Sequence, residues 1–260
     1  MDRFTRMAIA TVAVLGALGC SPSSWAQQPL KVAGQDVQPW VFHDNNSNSL
    51  SGVFVDLTNA LANDAGLQVQ YQLMVFGDLI PALASGKIDV IATNMAITPA
   101  RAQQVDFSNP VYDAPTEALV VPANDTTAYR SLADLKDFAV GALKGSIQLA
   151  LLQKTDGFSE IKAYDTVEDV WSAVQAGQVK AAITPGPDTI FAARHGRLPD
   201  LRIVGSYQSQ SPKPRIGIAV QKGNSELLDR INRSLAKLQA DGTLKAIFVK
   251  YGVDDWAPPR

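Results

Sequence analysis

The chain contains one cysteine, Cys20, and two histidines, His43 and His195. A single thiol cannot close an intramolecular disulfide, and the histidines belong to no metal-ligand spacing, so neither a disulfide scaffold nor a zinc module is expected. No G-x-S-x-G, H-E-x-x-H, P-loop or dinucleotide fingerprint occurs, and no nucleophile is assembled with a base. The acidic pair Asp254-Asp255 reads as a solvated chain end. Catalysis, metals and cofactors therefore find little support. Blocks of like charge are also missing: 23 Lys and Arg face 25 Asp and Glu, for a net charge of −2. With no basic patch, nucleic acid and anionic membranes are not expected partners. After the first twenty residues no apolar run is long enough to cross a bilayer.

The N-terminus carries the clearest positive signal. "MDRFTRMAIATVAVLGALGC" places two arginines before a short apolar run, and "SSWAQQ" follows. This is the pattern of a signal peptide spanning residues 1–26, with Ser24 and Ala26 flanking a cut before Gln27. The apolar core, Met7 to Gly19, is too short for a comfortable transmembrane span. A lipid anchor at Cys20 is the competing reading, weakened because Ala17 stands where such motifs usually carry Leu. Either route exports the protein, and a periplasmic location is expected. About 230 residues remain, enough for two lobes or one large α/β domain.

Along the mature chain, "LKVAG" reads as a buried strand and an Asn- and Ser-rich loop follows it. "SGVFVDLTNALANDAG" has helical spacing with Gly66 as its stop. "LQVQYQLM" alternates as a strand, "LIPALASGK" makes a short helix ending at Gly86, and "IDVIATN" is a buried strand. Alternating strands and helices predict a parallel sheet with crossover helices. "ALASGKIDVIAT" (82–93) and "AVQAGQVKAAIT" (173–184) align without gaps, with Gly86 and Gly177 in register. Such an echo suggests two lobes of similar build, although any helix–strand unit can end on glycine. "TEALVVPAND" and "SQSPKPRIGIAVQKG" read as two extended crossings between lobes. Residues 27–113 plus 214–260 then form lobe 1, and 114–213 an inserted lobe 2. Ligands of open α/β sheets bind beyond the carboxyl ends of strands, here in a cleft between lobes.

Arg101 is the principal candidate binding residue. It follows the strand end Thr93-Asn94, from which a guanidinium could take a carboxylate through two parallel hydrogen bonds. An internal salt bridge to Asp106 explains it equally well. "FAVGALKGSIQLALLQK" gives a strand, Gly145-Ser146 and a helix; Ser146 is either part of an anion site or a plain N-cap. Phe76 and Trp40 could wall a ligand, or could be core.

"AITPARAQQVDFSNPVY" resembles the T-x-x-R-x-x-x-v-d-F-s-x-P-Y segment of bacterial extracellular solute-binding proteins of the polar amino-acid type, the periplasmic receptors of ABC importers. "SGVFVDLTNALA", "LIPALASGKIDVI", "GSIQ" and "GIAVQKGNSELLDRINRSLAKLQADGTLKAIFVKYG" follow in matching order, so the similarity covers essentially the whole mature chain. It implies an α/β, two-lobed periplasmic binding protein fold (type II), with two hinge crossings and a ligand cleft. It also implies that Arg101 grips a ligand carboxylate, that the partner is an inner-membrane ABC permease, and that the protein is a monomer.

Several positions depart from the family pattern. Ala96 replaces a Ser or Thr five residues before the arginine, Ile147 replaces the Thr after Gly-Ser, and Val37 stands where an aromatic is common. The acidic residue that receives an α-ammonium is matched by Pro185 in "TPGPD", with Asp188 three residues further on. A cleft stripped of ammonium acceptors predicts a carboxylate ligand that need not be an α-amino acid, its apolar body facing Ile147, Phe76 and Val37. Two alternatives stand beside the transport receptor. One is a cleft enzyme resembling a cyclohexadienyl dehydratase for prephenate-like acids, with Asp188 as acid. The other is a sensory or accessory module.

Overall fold

A computed structural model describes residues 28–44, 48–209 and 211–258. The signal segment and Cys20 lie outside the described residues. Two five-stranded sheets dominate. The first carries, in spatial order, Val69–Leu73, Leu30–Gly34, Val90–Ile91, Ala219–Gln221 and Val105–Phe107. The second carries Glu160–Tyr164, Ala139–Leu143, Ala181–Thr184, Ala118–Pro122 and Leu201–Ile203. The two orders correspond strand for strand, so the echo between residues 82–93 and 173–184 marks equivalent units. Gly86 and Gly177 both take left-handed conformations, φ 73° and 69°, at the ends of equivalent helices, where glycine avoids a Cβ clash.

The sheets are mixed, not wholly parallel as alternation predicts. Three strands of each run parallel. Ala219–Gln221 and Ala118–Pro122 run antiparallel to both their neighbours. Each of these is the strand that arrives from the other lobe, so it enters its sheet at the end where the parallel strands leave. The crossings themselves pair as a ribbon, Tyr112–Asp113 against Arg215–Ile216. A second ribbon, Phe42–Asp44 with Ser49–Ser51, flanks the Asn- and Ser-rich loop.

Apolar strand runs follow from burial on both faces. In Ala118–Pro122, Leu119 and Val121 join one core cluster while Val120 joins the other, as the two-residue period of a strand requires. Val69–Leu73 lies at a sheet edge and alternates half-buried with exposed positions. The helix Ser225–Ala240 buries Leu227, Ile231, Leu235 and Leu238 on one stripe and is capped by the Asn224 side chain. Among the described residues no helix is long and apolar enough to cross a membrane.

Candidate ligand-binding cleft

A cavity lies between the sheets, at the carboxyl ends of their parallel strands. Eight residues expected at the site line it: Phe76, Asn94, Ala96, Arg101, Ser146, Ile147, Pro185 and Asp188. The space left for water-sized molecules is about 30 Å³, room for roughly two waters. A space of that size is smaller than an amino acid.

Arg101 sits in the short helix Pro99–Ala102, which begins with Thr98 accepting a hydrogen bond from the Arg101 amide. The residue is 8 % exposed. Nη1 donates to the Ala96 carbonyl at 2.7 Å, and Nη2 donates across the cleft to the Gly145 carbonyl at 3.0 Å. The guanidinium also lies 5.4 Å from the Phe76 ring centre, within cation–π range. Asp106, the alternative partner, is instead held by Lys222 at 2.6 Å and the Gly223 amide at 2.7 Å. Among the described residues Arg101 makes no ion pair; neutral carbonyls are its partners. Burial accordingly draws its pKa down to about 10, because desolvation disfavours the charged form.

Asp188 occupies the first turn of the helix Gly186–Arg194 and is 2 % exposed. Its Oδ1 accepts from Trp40 Nε1 at 2.7 Å and from Asn94 Nδ2 at 2.8 Å. The Tyr112 hydroxyl donates to Asn94 Oδ1 at 2.6 Å, which orients that amide toward Asp188. Burial pushes the Asp188 carboxyl up to about 7 despite these two donors. Pro185 holds the aligned position, but the next turn of helix delivers a carboxyl to the same cavity.

Two expected residues stand behind the cavity rather than in its wall. Trp40 is fully buried, stacked on Tyr112 at 5.2 Å and Trp256 at 5.9 Å; it touches the site only through the N–H that it gives Asp188. Val37 closes a tight turn with Val41 through paired backbone hydrogen bonds, which directs its side chain into the core. The Ser146 hydroxyl accepts from the Leu149 amide at 3.0 Å, so it is an N-cap that also borders the cavity. The lining also includes Gln35 and Gln148, which motif reading missed. Their only sequence signal was placement, one just after the strand Leu30–Gly34 and one in the first turn after Gly145-Ser146.

Gly186 explains how Asp188 reaches the cavity. A Cβ built on it would lie 1.8 Å from the Thr116 carbonyl oxygen, within one hinge crossing. Only glycine lets the helix start against that crossing. Gly186→Ala should lose about 1–3 kcal/mol or more by overpacking, lowering the melting temperature by roughly 3–10 °C in calorimetry. An unchanged melting temperature would refute this account.

Residues 30–254 match the model of the bacterial extracellular solute-binding proteins, family 3. The chain belongs to this family. The L-arginine-binding protein of Pseudomonas aeruginosa is 30 % identical over 251 residues, 92 % of this chain and 95 % of that protein. Among solved structures, an ancestral arginine-binding protein bound to glutamine superposes with a TM-score of 0.79 at 35 % identity, covering 87 % of this chain and 99 % of its own. An ancestral amino acid-binding protein described as a precursor of cyclohexadienyl dehydratase gives 0.76 at 27 %, covering 86 % and 95 %. Family membership establishes the two-lobed binding-protein fold and, with it, an extracellular solute-binding protein.

Proposed function

We propose that the protein captures a free amino acid in the periplasm by closing its lobes and presents it to an ABC permease. One observation carries this reading: the cavity holds one buried cation, Arg101, and one buried carboxyl, Asp188, and among the described residues no other ionisable side chain lines it. Opposite charges in one desolvated space match a zwitterion, with Arg101 on the α-carboxylate and Asp188 on the α-ammonium. Relatives named as binders of arginine, and one solved with glutamine, support the ligand class. Arg101 and Asp188 each bond to the opposite lobe, so the same groups would couple ligand capture to closure.

A second reading keeps the ligand a carboxylate without an amino group. It is favoured by the raised pKa of Asp188 and by its two existing donors, which together leave little for an ammonium to satisfy. A thermal-shift screen separates the readings. At a hundredfold its dissociation constant, a ligand adds about 2.7 kcal/mol. L-Amino acids are expected to raise the melting temperature, and their des-amino analogues are not. The reverse order would sink the zwitterion reading. Asp188 is also the acid that a dehydratase would need, so the screen includes a cyclic dicarboxylate, for which no turnover is expected.

A further inference from the structure

Besides Arg101 and Asp188, the polar side chains of the cavity wall are Gln35, Asn94, Ser146 and Gln148. Two of them already hydrogen-bond within the protein. The Asn94 amide is held between Asp188 and Tyr112, and the Ser146 hydroxyl caps its helix. Gln35 and Gln148 remain, one from each lobe. They are 4 % and 5 % exposed, and Gln35 Nε2 has no hydrogen-bond partner among the described residues. A buried primary amide without an acceptor is uncommon, because desolvating its N–H groups is unfavourable unless something else accepts them.

We infer that Gln35 and Gln148 read the ligand's side chain, and that this side chain is neutral and both donates and accepts hydrogen bonds, a carboxamide being the simplest case. The inference rests on the zwitterion reading above and extends it by charge counting. Once Arg101 holds the α-carboxylate and Asp188 the α-ammonium, no lining residue among those described is left to neutralise a further charge. A guanidinium or second carboxylate on the ligand would then be buried unpaired, whereas a carboxamide adds no charge. Its oxygen can take the Gln35 N–H, and its NH₂ can be served by the Gln148 carbonyl. Phe76 and Ile147, also in the wall, suit the intervening methylenes. The specificity would thus differ from that named for the arginine-binding relatives.

The test is isothermal titration of the purified protein with L-glutamine, L-asparagine, L-alanine, L-arginine and L-glutamate. The wild type is compared with Gln35→Leu, Gln148→Leu and Gln148→Glu. One of the two carboxamides should bind at least tenfold tighter than alanine, arginine and glutamate. Each leucine variant should reduce the carboxamide-to-alanine affinity ratio at least tenfold. Gln148→Glu supplies the missing negative charge and should move the arginine-to-glutamine ratio at least tenfold toward arginine; it decides the matter if a leucine variant does not fold. If alanine binds while arginine or glutamate matches the carboxamides, or if these ratios do not move, the inference is overturned and the zwitterion reading stands. If none of the five binds, the zwitterion reading falls and this inference falls with it.

Discussion

Arg101→Ala is expected to lower amino-acid affinity by roughly 30-fold to several thousand-fold, the range for truncating one partner of a buried, hydrogen-bonded charge pair. The expectation follows from the guanidinium's present partners. Two carbonyls and an aromatic face surround a desolvated cation, and none of them neutralises it. An incoming carboxylate therefore meets a group whose desolvation has already occurred. The unliganded protein should respond far less. Loss of two hydrogen bonds to carbonyls is offset by removal of a buried charge, so its melting temperature should move by only a few degrees. Arg101→Lys should recover little, because one ammonium cannot span Ala96, Gly145 and a carboxylate in fork geometry. Titration calorimetry beside a melt of the free protein checks both halves. Wild-type affinity in the alanine variant would remove Arg101 from the site.

The second large effect is one of pH. Asp188 has an ordinary value of 3.8 and a folded value near 7, raised chiefly by burial. Between these values the native chain holds a proton that the unfolded chain has lost. Stability should therefore fall as pH rises from about 4 to 7 and level off above that. The span corresponds to a loss on the order of 4 kcal/mol, and Asp188→Asn should flatten it. Binding should show the opposite slope. An α-ammonium favours the ionised carboxyl, so capture below pH 7 expels a proton, and affinity should rise by up to about tenfold per pH unit from 5 to 7. An amine-free carboxylate would instead bind more weakly as Asp188 ionises. Titrations in two buffers of different ionisation enthalpy would count the proton directly. Affinity that stays constant from pH 5.5 to 8.5 would eliminate Asp188 as an ammonium acceptor.

Much of the architecture was legible because it is written locally. Helix stops at Gly66, Gly86 and Gly177, the cap at Ser146, and apolar strand runs all depend on near neighbours. Strand direction was not, since which way Ala118–Pro122 runs depends on where the chain crosses between lobes. Within the cleft, Arg101 was legible from its position after a strand end and from the motif around it. Asp188 was ambiguous because the decisive fact is the approach of Gly186 to Thr116, a contact seventy residues apart in sequence. Trp40 stayed open between cleft wall and core for a similar reason: Trp256 and Phe248, more than two hundred residues away, pack against its ring. Gln35 and Gln148 carried no motif at all, and only their convergence on one cavity gives them meaning.

The hydrogen bond from Trp40 to Asp188 has an optical consequence. The indole belongs to one lobe and its N–H partner to the other, so parting the lobes exchanges a carboxyl for solvent at the nitrogen while the stacked ring stays in place. Indole emission is sensitive to such a change. Under the proposed closure, Trp40 is thus an intrinsic fluorophore at the contact between the lobes, through which opening and closing could be timed without a dye.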